Sequence, residues 1–179
     1  MHICVGYDGY KLGDEAIYPM SIFNSVYGGA MSSRLFQKIR DEAGMAYTVY
    51  SYPASYLDRG MLTVYAGTSI EHGPKVLELM LAERELMLKE GLTKQEFEQA
   101  REQLKGGYIL GLESTSSRMN ALGRRKLLLN SVQTESEVID KVNAISYDEV
   151  MDSVRHVLLS EAAWALVGKG AEALEVARG

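Results

Sequence analysis

The alternation of apolar and polar residues predicts β-strands at both ends of the chain. HICVGYDGY, residues 2–10, alternates with a period of two, which is typical of a strand with one buried face. Near the other end, AAWALVG (162–168) is a short apolar run of strand length. We predict a strand in each place, with a short helix after the second.

Two further stretches, 46–58 and 60–69, predict an antiparallel hairpin. Both are rich in Tyr, Val and Thr, and the turn signal Asp58-Arg59-Gly60 joins them. Pro53 lies inside the first of these stretches and has no backbone N–H to donate. Its strand is therefore expected to have an edge position or a bulge there.

Two helices are predicted between the first strand and the hairpin. Asp14 is suited to cap a helix over residues 15–27, and Gly28 and Gly29 then act as a helix C-cap and tight turn. Ser32 or Ser33 caps the second helix, whose apolar positions Leu35, Phe36 and Ile39 form one stripe, and Gly44 ends it.

After residue 71 the hydrophobic period becomes helical, and four or five helices are predicted. Three capping boxes mark helix starts: TKQE (93–96), TESE (134–137) and SYDE (146–149). The helix that begins at the first box contains Gly106, Gly107 and Gly111. Glycine weakens a helix interior, so close packing or a bend is expected at these three positions.

The order of elements predicts an α+β fold. It runs strand, two helices, hairpin, four or five helices, strand, so strands and helices do not alternate strictly. That order favours an antiparallel or mixed sheet covered by helices. No internal repeat or linker interrupts the sequence, and we predict a single domain over residues 1–179.

Composition narrows the function classes. The chain has 179 residues, 46% of them hydrophobic, and a net charge of −5. Since it has no basic face, nucleic acid is not an expected partner. No apolar run approaches the roughly 20 residues that a membrane span needs, so no membrane partner is expected. Cys4 is the only cysteine and is expected to be a buried, inert thiol; a reducing compartment, the cytoplasm, is predicted.

Ordinary catalytic motifs are missing from the sequence. His2, His72 and His156 have no second metal ligand at a suitable spacing, so no metal site is expected within this chain. Neither HExxH, HxxEH nor a G-x-S-x-G elbow occurs. No glycine pair fits a nucleotide-binding motif.

One long stretch does carry a specific signal. GGAMSSRLFQKIRDEAGMAYTVYSYPASYLDRGMLTVYAGTS (28–69) resembles the second half-domain of insulinase-like zinc peptidases, which include pitrilysin and the mitochondrial processing peptidases. The similarity continues through ESTSSRM (113–119) and covers nearly the whole chain, and the bacterial small-peptidase branch is the most similar. Ala30 stands where the family often has a third glycine.

The resemblance implies one half of a clamshell enzyme. In such enzymes two homologous α+β halves close around a peptide, and the first half holds zinc through HxxEH. The second half contributes an Arg and a Tyr seven residues apart, which match Arg40 and Tyr47. The chain is thus expected to need a zinc-binding N-terminal half, fused or separate, to bind peptide substrate and to be inactive alone.

Two alternatives remain open. An arginine at the C-terminal end of a helix usually complements the helix dipole, and a tyrosine in a strand usually packs against neighbouring side chains. Arg40 and Tyr47 therefore also have purely structural interpretations. Some relatives of this fold do structural work, which makes a non-catalytic scaffold or assembly module the alternative function. In either case an isolated half is expected to expose apolar surface and to self-associate.

Overall fold

The computed structural model describes residues 1–171, and it contains one antiparallel sheet of four strands. The strand order is β2-β3-β1-β4, and every neighbouring pair is antiparallel. The strands are β1 (His2–Gly9), β2 (Ala46–Ser55), β3 (Gly60–Thr68) and β4 (Ala163–Val167). The strand predictions and the hairpin are confirmed. The short helix predicted after β4 falls on residues 172–179, outside the described part of the chain.

The helices lie between β1 and the hairpin and between β3 and β4, as the sequence predicts. The first region holds α1 (Ile17–Asn24) and two π-helical segments, π1 (Ser25–Gly29) and π2 (Phe36–Glu42). The second holds α2 (Gly73–Glu90), α3 (Lys94–Leu112), α4 (Thr115–Leu129), α5 (Glu135–Ala144) and α6 (Tyr147–Leu158). The α+β prediction is confirmed, and the sheet is antiparallel rather than mixed.

Helix starts agree with their local signals. All three predicted capping boxes form, with Thr93, Thr134 and Ser146 each accepting a hydrogen bond from the backbone three residues on. Asp14 instead accepts a hydrogen bond from the backbone N–H of Ala16 at 2.9 Å, one residue before α1 begins. Its side chain therefore orders the turn that leads into the helix.

The core lies between one face of the sheet and the helices. Ile3 and Val5 of β1 are at most 1% exposed, as are Leu62 and Val64 of β3. Helices α1 and α6 pack on this face, and π1, π2 and α2 also contribute; the buried side chains of α1 and α6 include Met20, Phe23, Val150, Val154 and Leu158. Burial of a continuous apolar layer of this kind is the main stabilising contribution to the fold.

Cys4, on the other face of the sheet, is less buried than the sequence predicts. Cys4 points away from the core side chains Ile3 and Val5 and is half-buried rather than buried. The partial burial raises the pKa of its thiol, because the thiolate would lose hydration. The expectation of low reactivity therefore has a physical basis even though the thiol is accessible.

The position of Pro53 on an edge strand agrees with the prediction, whereas contacts among residues 1–171 do not explain the glycines of α3. Pro53 lies on β2, an edge strand of the sheet, as predicted. At Gly106, Gly107 or Gly111 an added Cβ would meet no atom of the described residues within 4 Å. Close packing against residues 1–171 thus does not explain these glycines, each of which costs about 1 kcal/mol relative to alanine.

Candidate functional site

Arg40 and Tyr47 lie at neighbouring ends of two elements that a short loop joins. Arg40 is in the last turn of π2, and Tyr47 is the second residue of β2. Gly44 takes a φ of +62° in the loop, which suits glycine because it has no Cβ to clash. The Met45 N–H donates to the Ile39 carbonyl at 3.1 Å, so the start of β2 is tied to π2.

A β-bulge presents Tyr47. In the ladder between β2 and β3, Ala46 pairs with Thr68 while Thr48 pairs with Gly67. Tyr47 is therefore an extra residue with no partner in the register, and its side chain is 78% exposed. Bulges commonly re-aim a side chain beside a functional site. The sequence predicts a strand here but gives no signal for this bulge.

The Arg40 side chain is positioned by an aromatic ring. Its guanidinium carbon lies 4.9 Å from the centroid of the Phe36 ring, one helical turn earlier, and the residue is exposed. Among residues 1–171, Arg40 has no acidic partner within 4 Å and donates no side-chain hydrogen bond. Its N–H groups are thus available to a ligand, and the ring restricts where they can reach.

The glycine pair 28–29 ends a helical segment and lies in close contact with neighbouring elements. Neither residue has a positive φ; both complete π1, and the chain becomes extended at Ala30. A Cβ on Gly28 would lie 2.5 Å from Oγ and 2.8 Å from N of Ser51. The Ser51 hydroxyl donates to Oδ1 of Asn24 at 2.7 Å, which joins α1 to β2 under the glycines. Gly28 is therefore in close contact with β2, whereas a Cβ on Gly29 would meet Asn24 of α1.

A partly buried ion pair anchors the segment before π2. Arg34 donates from Nε and Nη2 to the two carboxylate oxygens of Glu96, both at 2.7 Å, and from Nη2 to the Gly91 carbonyl at 2.9 Å. Such a two-pronged pair fixes geometry as well as charge. The hydrogen bond from Arg34 holds the pKa of the Glu96 carboxyl at about 2.

A second carboxylate completes this cluster. Glu83 of α2 is 6% exposed, and its Oε1 lies 3.7 Å from Nη1 of Arg34, beyond hydrogen-bond distance. Burial raises the pKa of Glu83, and the charge of Arg34 opposes that rise. Arg34 therefore connects the chain entering π2 with α2 and α3. The sequence indicates only the local role of Glu96, as the last residue of a capping box, and not its pairing with Arg34.

The exposed sheet face beside Tyr47 carries further aromatic residues. Tyr50 lies 5.8 Å from Tyr52 and 5.2 Å from Tyr65 between ring centroids. The Tyr65 hydroxyl is 2.6 Å from Nδ1 of His2 across the sheet. The Tyr-rich composition of the hairpin is the sequence signal for this surface, and it does not indicate which rings come together.

Metal ligands do not gather in the part of the chain that the structure describes. No group of three or more His, Cys, Asp or Glu residues there could hold a metal ion. The described residues therefore do not fit a zinc site. The described helices also include none long and apolar enough to cross a bilayer.

Comparison with known proteins identifies the class. The family model for the peptidase M16 inactive domain matches residues 1–104. An uncharacterized zinc protease of Bacillus subtilis is 40% identical over 166 residues, which are 93% of this chain and 41% of the relative. The chain belongs to the M16 inactive-domain family and spans about two fifths of the length of this relative.

Solved structures share the fold. The M16 inactive domain from Pseudomonas fluorescens superimposes with a TM-score of 0.81 at 20% identity, over 91% of this chain and 39% of that one. The inactive peptidase domain of a putative zinc protease from Bordetella parapertussis has a TM-score of 0.78 at 15% identity, over 93% of this chain and 90% of that one. The family model and the Bacillus subtilis relative thus confirm the resemblance inferred from the sequence, and the solved structures confirm the fold.

Proposed function

We propose that this chain is the substrate-binding half of a zinc metalloendopeptidase and that Arg40 and Tyr47 bind the peptide during hydrolysis. Membership of the inactive-domain family and the zinc-protease relative support a peptidase context. The catalytic zinc belongs, in this proposal, to an N-terminal half that is fused to this domain or forms a separate subunit. This half alone is expected to be inactive.

Tyr47 has the chemistry to stabilise a developing negative charge. When water adds to a peptide carbonyl, charge builds on the carbonyl oxygen, and a phenol O–H donated to that oxygen binds the transition state better than the substrate. The guanidinium of Arg40 offers several donors in a fixed plane, which suits peptide carbonyls on either side of the cleaved bond.

The observation that carries the proposal is the exposed position of both side chains beside one loop. Tyr47 is the extra residue of a bulge, and Arg40 stacks on Phe36 without an acidic partner among residues 1–171. A packing tyrosine would be buried, and a helix-end arginine needs no aromatic ring to hold it. The peptide would contact both side chains on an open surface that the other half covers.

A reconstitution assay tests the proposal. The unmatched part of the Bacillus subtilis relative, about three fifths of its length, would supply the other half as a separate polypeptide. Peptide hydrolysis is measured for each half and for the mixture, with bound zinc determined in each. Arg40→Ala and Tyr47→Phe are expected to lower kcat about 10²–10³-fold in the mixture, because each removes a transition-state donor.

Tyr52→Phe is the matched control, since Tyr52 is an exposed tyrosine on the same strand. It should leave kcat within about twofold. Full activity of Arg40→Ala and Tyr47→Phe would refute the assignment, as would hydrolysis by this chain without its partner. Binding to the other half without any hydrolysis would favour the scaffold alternative.

We also propose a location in the cell. A single cysteine favours a reducing compartment, so the cytoplasm remains the proposed site of action.

A further inference from the structure

A buried carboxylate with no role in the proposed mechanism lies beside the segment that carries Arg40. Glu83 of α2 is 6% exposed, and its Oε1 has no hydrogen-bond partner among residues 1–171. Buried carboxylate oxygens usually accept a hydrogen bond, because an ionised group loses its hydration on burial. An oxygen without a donor is therefore an exception that needs a physical reason.

An unused donor faces this oxygen. Nη1 of Arg34 lies 3.7 Å from Oε1 of Glu83 and donates no hydrogen bond within the described part of the chain. The other two nitrogens of Arg34, Nε and Nη2, are the atoms that bind Glu96 and the Gly91 carbonyl. A hydrogen bond between a guanidinium and a carboxylate is about 2.7–2.9 Å long, so a movement of about 1 Å would form one.

Neighbouring groups on three elements influence the ionisation of Glu83. Arg34 and Lys38 face it from the helical run that contains π2, Glu96 faces it from α3, and the phenol of Tyr27 faces it from π1. Lys38 is already paired with a carboxylate one turn further along its own helix. Burial raises the pKa of Glu83 above the ordinary value of 4.5, and the two cations oppose that rise only in part. Glu83 therefore becomes charged at a higher pH than an exposed glutamate.

Arg34 and Arg40 belong to one helical run, which begins at Arg34 and continues to the end of π2. Leu35 and Ile39 hold this run in the core at 0% exposure. Arg40 lies in its last turn and stacks on Phe36. Because a helical run moves largely as a unit, a shift at Arg34 also moves the guanidinium of Arg40.

We propose that Glu83 is a positioning residue for Arg40: when ionised it draws Nη1 of Arg34 into a hydrogen bond and so places Arg40 for peptide binding, and when protonated it releases this hold. This inference rests on the proposed function of Arg40. A buried carboxylate gains more from the new hydrogen bond than the neutral acid does, because little water reaches it. The contribution of Arg40 to hydrolysis therefore rises with pH as Glu83 ionises.

The pH dependence of kcat in the reconstituted mixture tests the proposal. Wild type and Glu83→Gln are compared between about pH 5 and pH 8, where most proteins are stable. The ratio of their kcat values cancels the titration of groups in the other half. It should be close to one when Glu83 is protonated and rise toward about tenfold as Glu83 ionises, since a misplacement of about 1 Å can cost up to 10²-fold. Equal activity at the acid end also shows that the variant folds.

Two further variants separate positioning from a general effect of charge. Glu78→Gln is the matched control, since Glu78 is an exposed glutamate of the same helix and pairs with Lys75. Its kcat should stay within about twofold of wild type at every pH. In an Arg40→Ala background, Glu83→Gln should change kcat less than about twofold at any pH, because a residue that acts through Arg40 then has nothing to position.

Nuclear magnetic resonance of this chain alone, at a concentration at which it is monomeric, gives a readout independent of hydrolysis. The side-chain carboxyl carbon of Glu83, assigned by its loss in Glu83→Gln, should titrate above pH 4.5. The Nε–H resonance of Arg34 should shift with the same midpoint, and this shift should be absent in Glu83→Gln.

Three outcomes would overturn the positioning role. They are an ionisation of Glu83 that leaves the Arg34 resonance unchanged, a ratio of kcat values that does not vary with pH, and an undiminished effect of Glu83→Gln in the Arg40→Ala background. The proposed function is judged separately. Full activity of Arg40→Ala with the resonance response intact would reject the catalytic assignment and retain the pH-dependent contact between Glu83 and Arg34.

Discussion

Arg40 and Tyr47 are held by different interactions although only a short loop separates their elements. The arginine depends on a side chain, the ring of Phe36, and the tyrosine depends on an irregularity of the backbone ladder. Behind them, Arg34 binds Glu96 and the Gly91 carbonyl and so joins the start of this segment to α3. Residue-level changes in this region should therefore separate into those that remove a functional group and those that loosen its support.

The free energy of unfolding at acid pH should depend on the Arg34–Glu96 ion pair. The folded-state pKa of Glu96 is about 2, below the ordinary value of 4.5. This carboxylate therefore stabilises the fold above pH 4.5, and the contribution is lost as the pH falls toward 2. We expect Glu96→Gln to unfold at lower urea concentration than wild type at pH 6, with the difference shrinking as the pH falls toward 2.

Glu149→Gln is the control for that titration. Glu149 also completes a capping box, and hydrogen bonds from Ser146 lower its pKa, but within residues 1–171 it has no arginine partner. Its substitution should have a smaller effect on stability at pH 6. A pH-independent difference between wild type and Glu96→Gln would contradict the assigned role of the ion pair.

At the scale of elements, Gly28 determines how closely π1 approaches β2. Gly28→Ala places a methyl group against the Ser51 backbone nitrogen and hydroxyl, so π1 must move outward. We expect a loss of about 1–3 kcal/mol in the free energy of unfolding, the usual range for overpacking. Urea denaturation followed by circular dichroism would measure it.

Gly106→Ala provides the comparison at an open helical site. It should stabilise the isolated chain by up to about 1 kcal/mol, because no described atom lies within 4 Å of the added methyl group. Equal effects of the two alanines would mean that close contact is not the reason for glycine at position 28.

The elements also show what the sequence could and could not predict. Capping boxes such as Thr93 to Glu96 were predictable because all their hydrogen bonds form within four residues. The bulge at Tyr47 depends on the register of β3, and the π-helical form of Phe36–Glu42 accompanies tertiary packing of Leu35 and Ile39, both 0% exposed. The apolar stripe predicted a helix but carried no information on its hydrogen-bond period.

The same limit applies to the candidate site. The seven-residue interval between Arg40 and Tyr47 was recognisable, because it lies within one continuous motif. The Arg34–Glu96 pair joins positions 62 residues apart, and neither residue alone indicates the other. Local chemistry could thus be predicted, whereas the contacts that position it required the folded chain.

At the scale of the whole molecule, the exposed apolar residues suggest a domain that is normally covered. The isolated chain is expected to self-associate in a concentration-dependent way, as apolar surface of this kind favours. Size-exclusion chromatography with light scattering, from low to high micromolar concentration, would measure the mass. Leu127→Asp should reduce the association, whereas Leu57→Asp should not. A monomer of constant mass over the whole range would contradict this prediction.

The bulge at Tyr47 has a consequence for how the Arg-Tyr spacing should be interpreted. Ala46 and Val49 are both buried although two residues lie between them, whereas an unbroken strand would place them on opposite faces; the extra residue of the bulge makes this possible. Deletion of one codon at Thr48 would leave arginine and tyrosine seven residues apart but would restore an uninterrupted ladder. The arginine and the tyrosine would keep their interval, yet the tyrosine would take the place of Thr48 opposite Gly67 and would lose the unpaired position that the bulge gives it.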